Sequence, residues 1–181
     1  MSKLERFMHE GHYANVIKHL RKMKQPAKIA LAFSHADYGV NKVASERLAH
    51  LGEPGARQLA NSLRSNNMFE VEYAVSGLSR MPLKHVKPFA KNIADSGLFL
   101  PKPINLRIKE RIIEKSAKLL ERIRDPSVLP QVEAKMRELD LAKSSPFGAK
   151  FALEGALLEL MRVARQTIKK TPIAPPRVKK K

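Results

Sequence analysis

Five basic side chains, Arg107, Arg111, Lys115, Lys118 and Arg122, recur at intervals of 4, 4, 3 and 4 residues. At about 100° per residue this spacing keeps them in one strip of a helix. Such a strip suits a row of backbone phosphates, held by charge without reading bases. A second basic set, Lys22, His50, Arg80, Arg122 and Arg162, stands third in five Leu-x-basic-apolar tetrads that begin at Leu20, Leu48, Leu78, Leu120 and Leu160. If the segments carrying these tetrads stack, the set forms a row along one edge. Both sets also have plain structural explanations. Glu110, Glu114 and Glu121 lie beside the strip, and Glu114 is placed to pair with Lys118 at i, i+4. Cations in a helix's last turn complement its dipole and its unpaired carbonyls.

The remaining positive charge gathers at the C-terminal end. From Arg162 onward come Arg165, Lys169, Lys170, Arg177, Lys179, Lys180 and Lys181, eight basic residues in all with no acid. The 181-residue chain has 35 Lys and Arg against 17 Asp and Glu, a formal net charge of +18, so the other 161 residues still contribute +10. A polyanion is the partner such a charge implies, and the charge says nothing about fold.

Residue types that would support catalysis are scarce. The chain has no cysteine, which removes disulfides, thiolate zinc sites and thiol nucleophiles. "HEGH" at 9–12 sets His9 and His12 three apart rather than the four of a zinc-protease helix, and Gly11 breaks the helix between them. There is no phosphate-loop glycine pattern and no GxSxG elbow. With no Trp and 6% aromatic residues, stacking platforms for unpaired bases are lacking as well. The expectation is a protein that is not an enzyme and needs no cofactor or metal.

The elements that position the basic residues follow from a repeated phrase. "LRKMKQPAKIAL" from Leu20, "LAHLGEPGARQL" from Leu48, "LSRMPLKHVKPF" from Leu78 and "LERIRDPSVLPQV" from Leu120 each place a proline within six residues of the first Leu. Proline is tolerated in a helix's first turn and disfavours helix in the residue before it, so each phrase marks a helix end, a tight turn and a new start. Apolar residues follow at i, i+3, i+4, i+7, as in Ala56, Leu59, Ala60 and Leu63 or Val86, Phe89, Ala90 and Ile93. Helices are expected over 12–23, 26–34, 38–51, 54–65, 68–80, 83–95, 105–123, 127–142 and 147–169. The Leu-to-Leu intervals of 28, 30, 42 and 40 residues are near the period of stacked helical hairpins.

The clearest unit, "LGEPGARQLANSLRSNNMFEVEYAVSGLSRM" at 51–81, resembles the HEAT-repeat family in its short-period form. One departure is Glu72, with no Arg beside it, where that family often has Arg early in the second helix. The resemblance implies an all-α, right-handed α-solenoid of about four to five hairpins, occupying 1–170 as one domain, with second helices lining a concave surface. HEAT-like enzymes differ from it in their sites: deoxyhypusine hydroxylases carry several His-Glu pairs against the single His9-Glu10 here, and HEAT-like DNA glycosylases use tryptophans.

Two segments fall outside the hairpin pattern. "SGLFLPKPI" at 96–104 reads as a loop tucked over the core or as an apolar partner contact through Leu98, Phe99 and Leu100. Residues 171–181 read as a disordered, Pro/Lys-rich basic tail. No run approaches the ~20 apolar residues of a membrane span, and the charged N-terminus lacks a signal-peptide core. The expectation is a cytoplasmic protein, nuclear if "PPRVKKK" acts as a signal in a eukaryote, without integral membrane association. The function expected is binding of nucleic-acid backbone, RNA in a ribonucleoprotein or ribosomal particle before DNA. The alternative is a scaffold that grips an acidic protein or peptide.

Overall fold

Prolines start helices where the repeated phrase places them, and side-chain caps start others between the phrases. The computed structural model describes residues 3–9, 11–34, 37–100, 106–141 and 147–170, without the side chains of 3, 5, 7, 34, 140, 141, 147 and 167–170. Helices α1 (Lys3–His9) and α2 (Tyr13–Lys22) are separated by Gly11 at φ 70°. Pro26 opens α3 (Pro26–Ala30), which a 3-10 turn continues through Leu31–Ser34. The Asp37 carboxylate accepts from Val40 N at 2.8 Å and caps α4 (Tyr38–His50). Gly52, at φ 67°, turns the chain into α5 (Glu53–Ser62), and the Asn67 side chain caps α6 (Met68–Ser79).

The next unit departs from the expected single helix over 83–95. It runs as α7 (Leu83–Val86), a 3-10 turn (Lys87–Phe89), α8 (Ala90–Asn92) and a π-turn segment (Ile93–Leu98). Pro88 lacks the N–H that an α-turn requires, which accounts for the 3-10 step. The π segment carries helix through Gly97 and Leu98, into the stretch expected to be loop. Gly97 permits this: a β-carbon there would sit 2.3 Å from Ser116 Oγ on the following helix. That helix is α9 (Leu106–Ile123), followed by a 3-10 turn (Pro126–Val128), α10 (Leu129–Leu141) and α11 (Phe147–Lys170). α1 was not among the expected helices. The described residues are helical and contain no strand, an all-α fold.

Packing follows a simple order. α2 lies against α4, α4 against α6, α6 against α9 and α9 against α11, while α1, α3, α5, the π segment and α10 pack between or beneath them. The neighbours in the first series run in the same direction. Arg111 and Lys115 of α9 meet Glu72 of α6 and Arg122 meets Ser79. Glu114 and Glu121 of α9 face Gly148 and Gly155 of α11 at a constant offset. One continuous apolar core from Leu4 to Leu160 runs through the array, and Ile108, Ile112, Leu119 and Ile123 are buried in it as their spacing requires.

Close approach between elements depends on glycine at α5. A β-carbon on Gly55 would lie 1.9 Å from Leu48 O at the end of α4, whereas one on Gly155 would meet nothing nearer than 3.6 Å. Gly55→Ala is therefore expected to destabilise the chain by about 1–3 kcal/mol through forced separation of α4 and α5. Gly155→Ala is expected to be neutral or to stabilise by up to about 1 kcal/mol, since Ala is the better helix former. Urea unfolding of the two variants checks this, and an equal loss in both would contradict it.

Candidate nucleic-acid interface

The strip on α9 turns out to have a counter-charge on the neighbouring helix. Glu72, 10% exposed at its side chain, accepts from Arg111 Nη2 at 3.1 Å and from Lys115 Nζ at 3.2 Å. Lys115 Nζ also donates to Ser76 Oγ at 2.9 Å, and Arg122 Nη1 donates to the Ser79 carbonyl at 2.6 Å. Lys118 pairs with Glu114 on its own helix at 2.6 Å. Arg107 stands exposed in the first turn of α9. Glu72, which departed from the HEAT pattern, is thus the residue that ties α6 to α9. Its sequence signal was the second of two acids in α6, after Glu70, without any indication of the partner 39 residues away.

The recurring junction cations come together at one edge, where α2, α4, α6 and α9 end and α11 passes with Arg162. Several reach back to the preceding helix of the series. Arg47 Nε donates to Met23 O at 2.7 Å, Arg80 pairs with Glu46 at 2.9 Å, and Arg122 takes the Ser79 carbonyl. At the last step Arg124 and Arg162 share Glu159, at 2.8 and 2.7 Å. The hydrogen bond from Arg162 holds the Glu159 carboxyl below the usual carboxylate range, with the Arg124 charge adding to it. So the expected dipole complement exists, but Arg47 and Arg122 supply it across helices rather than within one. His50 instead contacts the Glu46 carbonyl of its own helix at 2.6 Å.

Open grooves occur along this edge among the described residues, and cations line four of them. The first, about 360 Å³, is bounded by His19, Lys22, Lys24 and Lys28 over Leu4 and Met23. The second, about 620 Å³, holds His50, Arg80 and His85 together with Glu46. The third, about 560 Å³, lies between α7 and the end of α9. The fourth, about 330 Å³, contains Arg162 and Arg165 beside Leu158 and Met161. Among the described residues Lys22, Lys24, Lys28, Lys84 and Lys87 are exposed and make no ion pair. Lys24, Lys28, Lys84, Lys87 and Arg124 belong to the edge but not to the expected residues, because they fall after the tetrads rather than in them.

The apolar candidates divide. Leu98, the last residue of the π segment, is fully buried and Leu100 is 9% exposed, which fits the reading of this stretch as tucked over the core and corrects the role of these two as partner contacts. Phe99 is 39% exposed and carries Lys135 Nζ over its ring at 5.4 Å. Burial lowers the Lys135 pKa, against the opposing pull of Glu138 at 2.8 Å. Lys169 and Lys170 fall in the last turn of α11, with side chains outside the described residues. Arg177, Lys179, Lys180 and Lys181, and with them the expected tail 171–181, lie outside the described residues altogether.

No model of a protein family matches the chain, and no curated protein matches its sequence. The HEAT resemblance rests on the repeated phrase of the sequence.

Glu72 provides a test of what the α9 strip does. Replacing Arg111 and Lys115 together by Gln is expected to cost about 2 kcal/mol, because a largely buried carboxylate is left without cations. Adding Glu72→Gln to that pair should recover most of the loss. Denaturant midpoints of the three variants measure it, and a double variant as stable as the parent would show that the pairing contributes nothing.

Proposed function

We propose that the chain is a non-catalytic, basic α-solenoid of HEAT-like hairpins that binds the sugar-phosphate backbone of structured nucleic acid. RNA within a ribonucleoprotein or ribosomal particle is favoured over free DNA. The observation that carries this reading is the edge itself, with cationic grooves repeating along it and uncompensated lysines in two of them. Like charges gathered without counter-ions raise the energy of the free protein, and a polyanion relieves that repulsion by releasing its own condensed cations. The preference for RNA rests on the basic C-terminal extension and on the lack of a DNA-reading motif in the sequence. In this reading Lys22, Arg80, Arg122, Arg162 and Arg165 contact or flank phosphates, and Lys169 and Lys170 extend the row. The α9 residues Arg107, Arg111, Lys115 and Lys118 add to the positive field beside it. No helix among the described residues is long and apolar enough to cross a membrane.

A second reading, a scaffold for an acidic protein or peptide, is favoured by one observation. Phe151 and Leu158, seven residues apart on α11, are each 70% exposed, and Leu158 lines the groove of Arg162 and Arg165. That combination of apolar stripe and flanking cations suits an acidic amphipathic segment.

Salt dependence separates the two. Binding of a folded RNA to the full chain should weaken steeply with salt, the logarithm of affinity falling by about 0.9 per phosphate neutralised for each unit in the logarithm of salt concentration. Replacing Lys22, Lys24 and Lys28 by Gln should reduce that slope by about 2–3 without changing the melting temperature. A slope unchanged by the triple substitution contradicts the edge as the phosphate track. A protein partner retained in high salt and after nuclease treatment supports the scaffold instead.

A further inference from the structure

The groove between α7 and the end of α9 is built differently from the other three. Lys84 and Lys87 form one wall and Arg122 and Arg124 the other, over Leu83 and Ile123, and no acidic side chain lines it. Both arginines are held in place by a polar contact to a neighbouring helix. Arg122 Nη1 donates to Ser79 O at 2.6 Å, and Arg124 forms an ion pair with Glu159, Nε to Oε1 at 2.8 Å. A guanidinium has five N–H donors in a fixed fork, so each keeps most of its donors while losing much of its freedom.

Arg124 also has an unusual backbone. At φ 57° it is the one non-glycine residue with positive φ among the described residues. It follows directly on the last residue of α9, the place where helices commonly end on glycine because a β-carbon is disfavoured in that conformation. Glycine would satisfy the turn, yet the chain carries a long cation there. Residues kept in disfavoured backbone conformations concentrate at functional sites. The left-handed turn is what brings Arg124 into the groove wall beside Arg122, only two residues earlier.

We propose, resting on the nucleic-acid reading above, that this groove seats a phosphodiester of the bound strand. Arg122 and Arg124 act as fixed forks on its non-bridging oxygens, and Lys84 and Lys87 neutralise the adjoining phosphates. Four cations, of which only Arg124 has an acid partner in Glu159, exceed what one carboxylate can neutralise, and suit a chain in which each unit carries a charge. The groove also continues the edge on which the other cations stand.

The test measures affinity of the full chain for a folded RNA at one fixed salt concentration. Arg124→Gly and, separately, the pair Lys84→Gln and Lys87→Gln should each weaken binding about tenfold. Lys42→Gln, near the opposite end of α4, should change it less than about twofold. The melting temperature of Arg124→Gly should equal or exceed that of the parent, since glycine accepts the positive φ. Parental affinity in both groove variants overturns the proposal and leaves binding by the rest of the edge intact. Failure of the parent chain to bind any nucleic acid removes the wider reading, and the groove with it. Polyglutamate competing as well per charge as RNA would assign the groove to acidic protein. Saturable uptake of inorganic phosphate without RNA, lost in Arg124→Gly, would assign it to a free anion. Either result overturns the phosphodiester.

Discussion

Five helices lie side by side in the same direction, and four of them, α2, α4, α6 and α9, place their C-terminal ends at one edge, which α11 crosses near Arg162. Each end carries unpaired carbonyls and about half a negative charge from the aligned peptide dipoles. Parallel dipoles repel, so this packing requires cations at that edge before it can close. Arg47 on the Met23 carbonyl and Arg122 on the Ser79 carbonyl meet the requirement directly, each belonging to the helix that follows. Arg80 repeats the same reach through the Glu46 carboxylate, while at the last step Arg124 reaches forward to Glu159 of α11, which also pairs with Arg162 of its own helix. The repeated phrase in the sequence is therefore both a turn and an electrostatic tie to the previous unit.

Binding follows from supplying more cations than the dipoles consume. Arginines make the internal ties, while lysines such as Lys22, Lys24, Lys28, Lys84 and Lys87 remain exposed along the same edge. This division has a physical reason. A planar guanidinium can spend one donor on a carbonyl and keep others, while an ammonium on a flexible stem is strongly hydrated and stays in solvent until a phosphate arrives. Glu72 shows the opposite case, in which an acid inside the array takes up the Arg111 and Lys115 charges that would otherwise face outward.

The helices and the core were readable in the sequence because proline position and apolar spacing are local signals. Ile112 and Leu119 are buried where a 3.6-residue period places them, and Pro26 and Pro126 begin their elements. The π segment was not readable, because it depends on Gly97 meeting Ser116, a contact between residues 19 positions apart whose closeness no periodicity encodes. The same applies to the site. The junction row was visible as a recurrence, but the pairing of Arg111 and Lys115 with Glu72 and the positive φ of Arg124 are tertiary facts. The sequence leaves Leu98 and Leu100 open between core and partner contact, because the two prolines that follow mark an interruption without fixing which way the side chains turn. Both side chains are buried in the structure.

The central claim is that the edge where the parallel helices end is the surface that meets a polyanion. Acetylation of lysines in the full chain, with and without a folded RNA and read by mass spectrometry, tests it residue by residue. The account predicts protection of Lys22, Lys24, Lys28, Lys84 and Lys87, with Lys42 modified equally in both states. Protection spread evenly to Lys42, or none at the edge while RNA is bound, would contradict it.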